Sequence, residues 1–288
     1  MEWERAKTYI LVFFLLLNIA LGVLLVMENR RYTLTFDQER LIRTVLSQNN
    51  ITMYRMPIRQ FPPMRPIEVT GFDYNRETLI QIFFENPQTV ERVDTDRDGN
   101  YIFQYDDSRL EISSGFIEFR SPNGFGNAFL SLPQNEVTLH SARQLTDMFI
   151  SNHFSDFVFD GSFDDGDGMR IVYRHEYHGM LVHSNFIELF VSPVGITQIE
   201  MQFGEILGYT GSPRMIFSPD EALLAFTQRV RHITQEEPMT ITRMDLVYFQ
   251  EYISDQPGPY QAVPFYRIFT LCNEDMPFLI NAFTNVID

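Results

Sequence analysis

The first pattern along the chain is a run of 19 residues without a charged side chain, Tyr9 to Met27. At a rise of about 1.5 Å per residue it predicts a helix of roughly 28 Å, close to the hydrocarbon thickness of a bilayer. The run is longer than a signal-peptide core and ends Val23-Leu-Leu-Val-Met-Glu28 rather than in small residues. Ala20-Leu21-Gly22, which imitates a cleavage site, lies inside it. Residues 9–27 therefore read as a retained single-pass transmembrane helix and signal anchor, with 1–8 as a cytoplasmic tail. Arg5 and Lys7 precede the run and Arg30 and Arg31 follow it, so the flanking charges nearly balance. Orientation then rests on length: a short tail stays inside, and the remainder is expected on the extracytoplasmic side.

Within the run, Phe14, Asn18, Leu21, Gly22 and Leu25 recur at helical spacing on one face. An amide at mid-membrane is costly, and a hydrogen bond to a second helix offsets that cost, while Gly22 lets another backbone approach closely. This face is the candidate partner-binding surface. The alternative is that Asn18 is a tolerated single polar residue.

Beyond the anchor, three segments open with a capping-box pattern and continue with apolar residues three and four apart. They are Thr35–Gln38 before Leu41, Ile42, Val45 and Leu46; Ser141–Gln144 before Leu145, Met148 and Phe149; and Ser218–Glu221 before Leu223, Phe226, Val230 and Ile233. The intervening sequence predicts β-strands, rich in aromatic and β-branched residues, at 78–84, 101–105, 109–120, 170–177, 186–191, 197–203, 242–251, 263–271 and 278–283. Helices followed by antiparallel meanders indicate an α+β fold. The polar, proline-containing stretch Ser131–Thr138 is the expected boundary between a membrane-proximal α+β domain, 32–133, and a membrane-distal one, 137–288, with two helix-plus-sheet units.

Composition narrows the function classes. The formal net charge is −16, and residues 1–31 contribute +1 of it, leaving −17 beyond the anchor. Such a surface repels phosphate backbones, which argues against nucleic-acid binding, and it also repels anionic lipid head groups. The single cysteine, Cys272, rules out an internal disulfide, and a disulfide-free extracytoplasmic domain fits a Gram-positive cell surface.

Candidate chemistry is sparse. Asp94, Asp96 and Asp98, followed by Gly99, imitate the start of a calcium loop, but Tyr105 stands where the bidentate acid belongs. A hairpin turn on Asp98-Gly99 is the preferred reading, and Asp164-Asp165-Gly166-Asp167-Gly168 is a second acidic turn. His175, His178 and His183 lack ligand spacing on an extended strand. Cys272 falls in an expected core strand without basic neighbours. No nucleophile elbow, zinc helix motif, phosphate loop or dinucleotide fingerprint occurs. The expectation is a protein that is not an enzyme and has no cofactor.

Two stretches resemble a known family. The start Met1-Glu2-Trp3-Glu4-Arg5-Ala6-Lys7, then one membrane helix and about 250 further residues, resembles YycI (WalI). Near the C-terminus, Val263-Pro264-Phe265-Tyr266-Arg267-Ile268 and Phe278-Leu279-Ile280-Asn281-Ala282-Phe283-Thr284 resemble that family's closing strands. Here Tyr266 replaces the usual tryptophan and Asn285 the usual glycine. The closing hairpin is shared with YycH and with PepSY-like domains. The resemblance implies an accessory regulator of the WalK/WalR (YycG/YycF) two-component system, acting with a YycH-like partner on the membrane sensor histidine kinase that controls cell-wall metabolism. It further implies that kinase contact runs through Tyr9–Met27. Two other classes stand beside it: an anchored extracytoplasmic module that binds a ligand or peptide, and a calcium-dependent wall enzyme.

Overall fold

The computed structural model describes residues 2–55, 57–71, 75–84, 86–93, 100–113, 115–125, 137–234, 237–250 and 259–287. In chain order the elements are α1 (Glu2–Arg31), α2 (Phe36–Gln48), β1 (Ile51–Met53), β2 (Ile67–Val69), α3 (Arg76–Phe83), β3 (Glu91–Val93), β4 (Tyr101–Tyr105), β5 (Ser108–Ser113), β6 (Phe116–Phe125), α4 (Leu139–His153), β7 (Phe157–Asp165), β8 (Gly168–Tyr177), β9 (Met180–Ser192), β10 (Gly195–Gln202), β11 (Ile206–Tyr209), α5 (Pro219–Thr234), β12 (Met239–Phe249), β13 (Tyr260–Thr270) and β14 (Asn273–Asn281). The fold is mixed α+β.

In α1, the stretch Lys7–Leu24 has a mean hydropathy of 2.1 and none of it is buried against the rest of the chain. It is long and apolar enough to span a membrane, as a single-pass anchor requires. The helix α2 starts as its capping box dictates, with the Gln38 amide donating to Thr35 Oγ1 at 3.3 Å and the Thr35 amide donating to Gln38 Oε1 at 3.0 Å. For α5, the Ser218 amide and hydroxyl both donate to Glu221 Oε2 at 2.8 Å, with Pro219 at the first helical position.

Two expectations are corrected. The helix α4 is capped by Thr138, with Ser141 as the third helical residue, so the cap expected at Ser141 lies one turn inside. Residues 78–84, expected as a strand, are mostly the helix α3. Asn75 accepts from the Glu77 amide at 2.9 Å, and Leu79 and Phe83, one turn apart, are buried together. A local cap and an i, i+4 apolar pair outweigh β-branched composition in so short a segment.

All strands belong to one branched sheet ordered β11-β2-β13-β12-β9-β10-β6-β5-β4-β3, with β1 on β12, β14 on β13, and the β7–β8 hairpin on β9. Strand β9 is the spine. Its C-terminal half, Phe186–Ser192, pairs antiparallel with β10, whereas Val182 pairs in parallel with Tyr248 of β12. Between them the β8–β9 register slips: Arg174 faces Phe186 and His175 faces Val182, leaving residues 183–185 as a bulge.

The bulge separates two hydrophobic cores. One is built from residues 34–69, Val182 and 216–282, under α2 and α5. The other is built from residues 79–119 and 142–201, under α3 and α4. The second unit is thus set inside the first along the chain, and the expected division between 32–133 and 137–288 does not separate the two cores. Polar, proline-containing loops occur within a core unit as readily as between units, and the strand pairing that defines the cores is non-local. The chain crosses between cores twice, near Thr70 and near Gly204, and the crossings are tied to each other. The Thr70 amide donates to the Glu205 carbonyl at 2.8 Å, and the Glu205 amide donates to Thr70 Oγ1 at 3.0 Å.

Candidate functional site

Phe14, Asn18, Leu21, Gly22 and Leu25, expected from sequence as a contact face, lie on α1. Phe14 and Leu21 are exposed, and a Cβ at Gly22 would meet nothing within 4 Å. Asn18 Nδ2 donates to the Phe14 carbonyl one turn earlier at 2.9 Å, while its Oδ1 has no partner among the described residues. The amide therefore keeps acceptor capacity for a second helix. Leu25 continues the helix, and its side chain lies outside the described residues.

Where the two crossings meet, a cavity of about 340 Å³ opens to the surface. It is framed by the end of α4, the start of β7, the end of β8 and the β10–β11 connection. Phe154, Phe157 and Phe203 form its aromatic wall, with ring centroids 5.2–6.1 Å apart. His175 stacks on Phe157 at 5.2 Å, and His153, Asp156 and Glu205 complete the rim. Burial lowers the pKa of both histidines, so both imidazoles favour the neutral form near pH 7. Asn185, fully buried on the bulge, donates to the Gly204 carbonyl at 2.9 Å and so fixes the floor. The cavity can take an aromatic or amphipathic group of modest size.

A second polar group lies below the bulge. Arg267 of β13 is wholly buried and makes paired hydrogen bonds to two carboxylates: Asp160 at 2.7 and 2.9 Å, and Asp245 at 2.8 Å twice. Asp160 also accepts from Arg174 Nε at 2.8 Å and Arg243 Nη2 at 3.3 Å. His183 Nδ1 lies 3.1 Å from Arg267 Nη1, and Arg174 donates to the His183 carbonyl. Burial alone pushes the Asp160 carboxyl up, but the hydrogen bonds and charge of Arg267, with Arg174 and Arg243, outweigh it and hold the group well below the usual carboxylate range. Burial, reinforced by Arg174 and Arg267, pushes the His183 imidazole well below its usual value. Every charge here is paired, and nothing in the arrangement presents a nucleophile beside a base.

The remaining candidates scatter. His175 lines the cavity, His178 sits at φ +50° in the β8–β9 turn, and His183 joins the buried arginines, so the three are not brought together. No group of three His, Cys, Asp or Glu side chains suited to a metal ion occurs among the described residues. Asp94, Asp96 and Asp98 lie outside the described residues. Asp164–Gly168 forms the turn of the β7–β8 hairpin, with Gly166 at φ +60°. Cys272, expected in a core strand, is exposed in the turn between β13 and β14.

Sequence reading missed the buried cluster and the cavity. One signal for the cluster was present: Arg267 is a charged residue in the otherwise apolar strand Val263–Phe269, and a buried arginine requires carboxylate partners. The cavity had no comparable signal, because its residues come from four separate segments.

Among solved structures, an uncharacterized protein from Eubacterium rectale ATCC 33656 is similar, with a TM-score of 0.57 and 11% identity over 83% of this chain and 90% of that one. The Bacillus megaterium YpeB C-terminal domain matches with a TM-score of 0.43 and 9% identity, over 76% of this chain and 96% of that one. The first likeness is one of fold. No family model matches the sequence, and no curated protein matches it.

Proposed function

We propose that this chain is a membrane-anchored, non-enzymatic regulator of a sensor histidine kinase of the WalK/YycG type, acting with a YycH-like partner. Its amino terminus is cytoplasmic and its α+β region extracytoplasmic in this reading. The observation that carries it is the anchor: among the described residues Lys7–Leu24 packs on nothing else, and Asn18 Oδ1, on the same face as Gly22, has no partner. Such a helix has its whole surface available to a kinase helix, and a differential contact of a few kcal/mol is enough to shift a two-state receptor.

The C-terminal departures from the YycI pattern are physically compatible with it. Asn285, in place of the usual glycine, sits at φ +58°, a conformation that asparagine adopts more readily than other non-glycine residues. Tyr266, in place of tryptophan, is buried and donates to the Phe217 carbonyl at 2.8 Å, as a buried indole N–H also must find an acceptor.

Replacing residues 9–27 by an unrelated membrane helix is expected to abolish regulation of kinase output while the protein still accumulates in the membrane. Unchanged regulation after the swap overturns the helix-contact mechanism. A second reading, a ligand- or peptide-binding module, is favoured by the cavity at the two crossings. It predicts that a tryptophan substituted for Ser155 blocks capture of cell-surface peptides by the detergent-solubilised chain.

A further inference from the structure

The net charge of −16 hides a sharp asymmetry. Residues 28–65 carry seven arginines against three acidic residues, a balance of +4, whereas 66–288 carry −20. The positive segment is the one that leaves the membrane helix. Its exposed arginines are Arg31, Arg40, Arg55, Arg59 and Arg65, and Arg43 is half-buried. Of its acids, Glu39 is buried and paired with Arg59, whose Nε donates to it at 2.8 Å, so these two charges offset each other, and Asp37 is exposed.

The fold holds this segment against the anchor. Within three residues of the end of α1 the chain is tied to the segment around Arg59: the Phe61 amide donates to the Tyr32 carbonyl at 3.0 Å, the Leu34 amide donates to the Arg59 carbonyl at 2.8 Å, and Thr33 bridges Gln60. From Met27 to Phe36 the path is at most roughly 24 Å, four residues of helical rise and then five of extended chain. One face of α2 then presents Phe36, Arg40, Arg43, Thr44 and Ser47, with the paired Glu39 carboxylate, around a shallow concavity of about 450 Å³. Phe36 is 75% exposed, with the Arg59 guanidinium 4.8 Å from its ring, and Leu41 and Tyr54 beside this region are also largely exposed. Apolar side chains set among arginines beside a membrane helix have the chemistry of the lipid interface, where rings enter the head-group layer and basic groups meet phosphate.

We propose that the α2 face carrying Phe36, Arg40 and Arg43, flanked by Arg55 and Arg59, docks on anionic phospholipid head groups of the bilayer that α1 spans. This replaces the expectation of a domain repelled by anionic lipid: the repulsion belongs to residues 66–288, and the two signs together orient the domain with this face down and the acidic bulk away from the surface. The charge argument is the same for either leaflet and does not depend on a kinase partner.

The test is hydrogen–deuterium exchange on the full chain in nanodiscs of phosphatidylcholine alone and of phosphatidylcholine with about 30 mol % phosphatidylglycerol. Peptides covering Phe36–Ser47 and the segment around Arg59 are expected to exchange more slowly in the anionic discs, with peptides from β4–β6 unchanged as an internal reference. Arg40→Glu and Arg55→Glu should each weaken docking about fivefold, and raising the salt to about 0.5 M should erase the difference between lipids. Arg55 is exposed in a short connection, so Arg55→Gln remains informative where a charge reversal at Arg40 impairs folding. Equal exchange in the two lipids overturns the proposal. So does equal protection in both, which would indicate contact with protein rather than lipid charge, or protection that survives both arginine substitutions.

Discussion

Arg267 of β13 and Asp160 of β7 are joined by two hydrogen bonds, 2.7 and 2.9 Å, although 107 residues and three intervening strands of the sheet path, β12, β9 and β8, separate them. The pair fastens the β7–β8 hairpin to the closing strands, so it couples the two cores from beneath the bulge in β9.

Removing the guanidinium leaves Asp160 and Asp245 short of a partner in a buried site. Arg267→Met is therefore expected to cost about 3–5 kcal/mol. The check is the urea midpoint of the detergent-solubilised chain, with an exposed change such as Arg109→Met expected to shift it little.

Acid should loosen the same site. The native pKa of His183 lies well below the ordinary 6.5, so on acidification the unfolded chain takes up this proton first. Its contribution is complete above about pH 6.5 and is lost as pH falls from there toward the native value, with a slope of up to about 1.4 kcal/mol per pH unit. Stability measured from pH 8 to pH 5 should fall, and His183→Gln should flatten that fall. Asp160 adds a second loss lower down, because its depressed native pKa contributes stability present above the usual carboxylate range and lost below it.

At the joint between cores, a Cβ on Gly204 would stand 1.9 Å from the Thr70 carbonyl oxygen and 3.0 Å from Val69 Cγ1. Backbone cannot yield as a side chain can, so Gly204→Ala is expected to cost about 3 kcal/mol and to lower the thermal midpoint. Gly71→Ala, where a Cβ meets nothing within 4 Å, is the comparison and should stay within about 0.5 kcal/mol.

In the second core, the buried Tyr173 hydroxyl donates to Asp147 Oδ1 at 2.6 Å and lies 2.7 Å from Thr146 Oγ1, joining β8 to α4. Tyr173→Phe keeps the ring and removes both contacts. A loss of about 1–2 kcal/mol is expected, read from the same urea transition.

The helix long and apolar enough to span a membrane and the class of the fold were legible from sequence because both rest on local signals. Nineteen uncharged residues in a row have one physical consequence in lipid, and the pairs Thr35–Gln38 and Ser218–Glu221 mark helix starts from within four residues. Strands at 101–105 and 263–271 were visible from composition alone. The segment at 78–84 was misread because its β-branched residues and its Leu79–Phe83 pair point to different structures over only eight residues.

What only the tertiary structure decided is everything that depends on pairing across long separations. Local pattern says that a residue faces inward; it does not say which inward face it meets. Hence the nesting of one core inside the other, the tie between Thr70 and Glu205, the cavity assembled from four segments, and the union of Asp160 with Arg267 emerged only with the fold. The charge asymmetry lay in the sequence throughout. Its meaning depended on the contacts of Tyr32 and Leu34 with the segment around Arg59, which hold the arginines beside the end of α1.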